Sequence, residues 1–104
     1  MKKAIDGKVY NTETAELIYS WDNGRGRNDF RSREKDLYRT KKGKYFIHHS
    51  GGAMTDMAVS VGDNSFGGSE NIEPLTEQQV IKFLEGKNAV EVLEDLFPEY
   101  LEEA

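Results

Sequence analysis

The sequence predicts an α+β domain: a small antiparallel β-sheet of about four strands, with two short C-terminal helices packed on one face. Three observations carry that expectation. Apolar residues in the first sixty positions recur with the strand period of two. Those after Glu73 recur at helical spacing. Gly, Asn and Asp clusters separate the segments, and strands followed by helices imply helices segregated to one side of a sheet. At 104 residues, one domain spanning 1–104 with one core is expected.

In chain order, KAIDGKVY places Asp6-Gly7 between two apolar-bearing runs, a hairpin signal. Asn11 to Ala15 is either one helical turn capped by Asn11 or a polar connection. In LIYSW, Leu17, Tyr19 and Trp21 alternate with Ile18 and Ser20, which predicts a strand burying one side. Asn23-Gly24 and Gly26 end it. The clearest hairpin joins Asp36–Thr40 to Lys44–His49 through Lys41-Lys42-Gly43. Tyr45, Ile47 and His49 fall on one of its faces, Phe46 and His48 on the other.

The glycine-rich run after His49 is expected to hold a short strand around Met57, Val59 and Val61 in otherwise irregular loop, with Phe66 pinning it to the core. Gly51-Gly52 and Gly67-Gly68 read as turns needing positive φ. Thr76 and Gln79 then form a capping-box pattern ahead of Val80, Ile81, Phe83 and Leu84, with Gly86 as a stop. Ala89, Val90, Leu93, Leu96 and Phe97 predict a second amphipathic helix ending at Pro98. Such short helices are marginal alone, so they must pack on the sheet.

Composition excludes several functions. The chain has no cysteine, so disulfides and thiolate metal sites are absent. MKKAIDGKVY lacks the apolar run of a signal peptide, and no stretch nears the ~20 apolar residues of a membrane span. A cytoplasmic protein with no membrane contact is expected. His48 and His49 are adjacent on a strand and diverge, which argues against a shared catalytic site. Gly24-Arg25-Gly26 lacks the third glycine of a dinucleotide fingerprint, and Asp22, Asp29, Asp56 and Asp63 do not fit calcium-loop spacing. Glu91, Glu94 and Asp95 fall on the solvent side of the last helix. No enzyme and no cofactor is expected.

Charge supplies the stronger clue. Residues 1–62 carry 12 basic and 8 acidic side chains, residues 63–104 carry 2 and 11, and the whole chain is at -5. Nine of the fourteen lysines and arginines lie between positions 25 and 46. Arg25, Arg27, Arg31 and Arg33 sit at odd positions, so an extended backbone would aim all four to one side. Lys41, Lys42 and Lys44 crowd the hairpin tip, and Arg39, Tyr38 and Tyr45 are interleaved. These ten residues form the candidate binding set, suited to nucleic-acid phosphates and unstacked bases or to carboxylates on a protein. Edge protection of a hairpin and pairing with the acidic half would account for the same charges structurally.

The run LYRTKKGKYFIHHSGGAMTD, the later GGSENIEPLTEQQVIKFLE and the opening KVYNTETAELI resemble a family of small proteins encoded by phages, plasmids and conjugative elements of Gram-positive bacteria. The resemblance covers most of residues 8 to 85 and rests on features that shape the fold. Some small acidic proteins of such elements are anti-CRISPR proteins. It therefore implies a non-enzymatic inhibitor that binds a CRISPR effector nuclease or its guide RNA, with the Arg25–Lys44 segment and the acidic C-terminal helices as the expected contact surfaces. Two other readings stand beside it: a small protein sequestering a nucleotide immune signal in its glycine-rich region, 51 to 68, and a nucleic-acid-binding accessory factor.

Overall fold

The computed structural model describes residues 1–26 and 28–104. Its chain order is β1 (Lys2–Ile5), β2 (Lys8–Asn11), β3 (Glu16–Asp22), β4 (Arg33–Arg39), β5 (Tyr45–Gly51), β6 (Val59–Gly62), β7 (Ser65–Gly67), β8 (Ser69–Leu75), α1 (Glu77–Gly86) and α2 (Val90–Leu96). A four-stranded antiparallel sheet in the order β3-β4-β5-β8 forms the middle layer. The two helices cover one face. The β1–β2 hairpin covers part of the other.

Each face has its own apolar cluster. On the helix side, Leu37, Tyr45 and Ile47 of the sheet meet Val80, Ile81, Leu84 and Leu93. On the other, Phe46 and Ile72 meet Tyr10, with Tyr38 stacked on Phe46 at 5.2 Å and Tyr10 edge-on to it at 5.5 Å. Aromatic pairs in these geometries add about 0.5–1.5 kcal/mol beyond the area they bury. The β1–β2 turn uses Asp6 (φ 50°) and Gly7 (φ 76°), the pair of positive φ values a two-residue hairpin loop requires.

Both helix expectations hold, with adjusted details. Thr76 accepts from the Gln79 N–H at 3.2 Å, and the Gln79 side chain accepts from the Thr76 N–H at 2.8 Å, completing the capping box. Gly86 closes α1, but the left-handed residue after it is Asn88, at φ 54°. Val90 lies on the exposed side of α2, while Val92 packs against the core instead.

Three expectations are corrected. A β-bulge between Leu17 and Tyr19 shifts the phase of β3, so Leu17 is exposed and Ile18 joins Tyr19 against the helices. The segment after His49 is more ordered than a loop with one strand: β6 and β7 form their own hairpin, and β8 supplies the sheet's fourth strand. Phe66 is 65% exposed and pins nothing. The glycines at 51, 52, 67 and 68 do not adopt positive φ. They are there for space. A Cβ on Gly52 would lie 2.5 Å from the Phe30 carbonyl oxygen, and one on Gly68 would strike that of Gly51. The chain closes this contact with Gly52 N–H donating to Ser32 O at 3.0 Å and Met54 N–H to Phe30 O at 2.8 Å.

The bulge is testable by truncation. Ile18→Ala should destabilise the fold by about 1–3 kcal/mol in urea unfolding and Leu17→Ala by less than about 0.5 kcal/mol. The reverse ranking would mean the strand keeps an unbroken alternation.

Candidate functional site

The arginines of the basic stretch do not line up. Residues 28–31 form turns, so no extended backbone aligns Arg31 with Arg25 or Arg33. Arg31 donates to Asp29 through Nε at 3.2 Å, and Arg25 lies 3.5 Å from the same carboxylate. Arg39 pairs with Glu16 across the β3–β4 ladder at 2.7 Å. Arg27 falls outside the described residues.

Arg33 is a buried structural residue, with 10% of its side chain exposed. It grips Asp56 with Nε at 2.7 Å and one terminal nitrogen at 3.3 Å, and donates to the Glu34 and Ser50 carbonyls. It also donates to His49 Nδ1 at 2.9 Å. Because guanidinium has no acceptor, Nδ1 must be the unprotonated nitrogen, and Nε2–H donates to Glu73 at 2.8 Å. The network ties β4, β5, β8 and the loop carrying Asp56 together. Tyr45 is likewise core, and Tyr38 is half-buried on Phe46 with its hydroxyl pushed up by desolvation and then by the Asp36 charge.

What the fold does bring together is lysine. Lys41, Lys42 and Lys44 at the β4–β5 tip face Lys8 of β2 across a cleft of about 400 Å³, completed by Gly7, Val9, Tyr10, Thr14 and Thr40. The tip is a fixed turn: Thr40 N–H donates to Lys44 O at 2.7 Å, Lys44 N–H to Thr40 Oγ1 at 3.0 Å, and Gly43 adopts φ 84°. None of the four lysines enters an ion pair among the described residues, whereas Arg25, Arg31, Arg33 and Arg39 all do. Four ammonium groups without carboxylate partners around one cleft favour an anion there. Lys8 escaped sequence reasoning because it lies over thirty residues from the tip. Its only local signal was its place beside the Asp6-Gly7 turn.

The remaining groups point elsewhere. A second cleft, of about 480 Å³, is lined by Gly51, Gly52, Gly68, three serines and the carboxylates of Asp29, Glu34 and Glu70. His48 lies near it, 3.5 Å from Glu70 and 4.0 Å from Asp36, with no hydrogen bond at Nε2. Three carboxylates and no cation make a poor phosphate cradle. Among the described residues, no group of three His, Asp or Glu is arranged to hold a metal ion. Glu91, Glu94 and Asp95 are exposed on α2, on the opposite side of the sheet from the lysine cleft. Also on the helix side, Lys87 lies 3.7 Å from the Trp21 ring centre, its ammonium lowered by desolvation and then by Lys35 and Arg33. No helix of the described residues is long and apolar enough to cross a membrane.

Comparison with protein-family models, curated proteins and solved structures gives no match.

The Arg33–Asp56 clamp has a pH signature. The Asp56 carboxyl is held below its ordinary 3.8, chiefly by the Arg33 hydrogen bonds. A depressed carboxylate contributes stability above its unfolded value and loses it as pH falls through the folded one. Asp56→Asn should therefore lower Tm at neutral pH, and its gap from the wild type should narrow between about pH 5 and about pH 2. A gap that stays constant or widens in acid would contradict the clamp.

Proposed function

We propose that this chain is a non-enzymatic counter-defence inhibitor, of the anti-CRISPR kind, that binds an RNA-guided nuclease through its guide RNA. The contact chemistry rests on one observation: the lysines of two separate hairpins converge on a single cleft without carboxylate partners. The choice of target rests on the resemblance of residues 8 to 85 to mobile-element proteins. Lysine ammonium groups bind phosphate as point charges, which suits a backbone read without regard to sequence.

The acidic half does not oppose this role. Helix α2 and its carboxylates cover the far face of the sheet, and Glu70, the carboxylate of the acidic half beside His48 on the lysine face, pairs at the end of β5 away from the tip. Of the other readings, nucleotide capture by the glycine-rich region meets the three carboxylates of that cleft. An accessory nucleic-acid-binding factor would use the same lysines, and differs in leaving the nuclease active.

Two assays test the proposal. In target cleavage by a purified type II nuclease, inhibition is expected when the protein meets guide RNA first. No inhibition at large molar excess would reject it. In guide-RNA titrations, Lys41→Gln/Lys42→Gln/Lys44→Gln should weaken binding and reduce the salt slope by about 2–3, whereas Arg25→Gln/Arg31→Gln should reduce it by less than about 1. Equal effects would remove the lysine cleft as the contact.

A further inference from the structure

From Gly51 to Ile81 the chain has five acidic residues and no lysine or arginine. Within this stretch β6 and β7 pair with each other and with no other strand among the described residues. The radius of gyration, 15.4 Å, exceeds the roughly 13 Å of a compact chain of this size, consistent with an extended element. Lone two-stranded hairpins are marginal in water, and exposed strand edges are ordinarily protected by lysine, proline or an inward charge. The strands VSVG and SFG have none of these, and only their shortness and the bulge in β6 blunt their edges. The β4–β5 tip, by contrast, carries three lysines.

What the hairpin displays instead is apolar surface on both sides. Val59 stands opposite Gly67, and Phe66 opposite Ser60, so strand alternation sends their side chains to opposite faces. Val61 occupies the bulge and leans over Gly67, where a Cβ would meet its Cγ1 at 3.0 Å. Val61 and Phe66 are each 65% exposed. An element apolar on two faces suits insertion into a cleft better than contact with a flat surface. Its flanking charges are acidic: Asp63 at the turn and the exposed Glu70 just past its base, while Asp56 is engaged by Arg33.

We infer that the β6–β7 hairpin is a protein-docking finger that enters an apolar cleft rimmed by lysine and arginine on the nuclease itself. This rests on the proposed function and adds the protein component as a second contact. A positively charged nucleic-acid channel offers such a rim. The lysine cleft of a second copy offers one too, but in the proposed function guide RNA occupies that cleft, which leaves the nuclease's own channel as the finger's seat.

The test uses guide-free nuclease and guide RNA as separate probes, with binding measured for the wild type, Val61→Ser/Phe66→Ser and Asp63→Lys. Because the finger lies outside the four-stranded sheet, the variants should keep the wild-type Tm. The wild type should bind guide-free nuclease saturably, and Val61→Ser/Phe66→Ser should weaken that binding by about tenfold or more, leaving guide-RNA binding unchanged. Asp63→Lys should weaken nuclease binding by a smaller factor. Undiminished nuclease binding by Val61→Ser/Phe66→Ser overturns the inference, as does a wild type that inhibits cleavage without binding guide-free nuclease; the proposed function survives both. A wild-type dimer in light scattering that Val61→Ser/Phe66→Ser dissolves assigns the finger to a second copy, and also overturns it. Failure to inhibit cleavage at all rejects the proposed function as well.

Discussion

Tyr45, Phe46 and Ile47 are consecutive residues of β5, and all three are buried. Consecutive strand residues face opposite ways, so this one run obliges the sheet to be covered on both sides. The helices supply one cover and the β1–β2 hairpin the other. The lysine cleft follows from that constraint. Packing Tyr10 on Phe46 brings the β1–β2 turn alongside the β4–β5 tip, and Lys8 with it. The positive pole is thus a by-product of how the core closes.

The constraint also sorts the charges. The described arginines are tied down whether buried or exposed: Arg33 by Asp56, Arg39 by Glu16, Arg31 and Arg25 by Asp29. Removing one partner of such a contact leaves the other charge to be solvated by a surface shaped to pair it. The tip lysines have no such duty. Their turn is held by backbone bonds and by Thr40, so their ammonium groups are available to a ligand without loss to the fold.

Local signals in the sequence were sufficient for the β4–β5 hairpin, the Asp6-Gly7 turn and the capping box at Thr76, because each is decided by residues within a few positions. They were insufficient where pairing is long-range. Strand β8, with the polar run Ser69-Glu70-Asn71, reads as loop and becomes a strand only through its ladder with β5. The bulge at Ile18 leaves no mark on composition, and it exchanges Leu17 for Ile18 on the buried side of β3 while Tyr19 and Trp21 keep theirs. The same limit applied to the site. Counting arginines at odd positions presumed an extended backbone, whereas Asp29 gathers Arg25 and Arg31 into a turn and Arg33 turns inward. Lys41, Lys42 and Lys44 were legible; Lys8 required the third dimension.

The central claim is that the available positive charge lies between two hairpins and not along the arginine stretch. The most direct measurement is an amide chemical-shift titration of the full chain with guide RNA. The account predicts that shifts appear together in Gly7–Tyr10 and Thr40–Lys44, with α2 unmoved. Shifts confined to Arg25–Arg31, or to the acidic residues of α2, would contradict it.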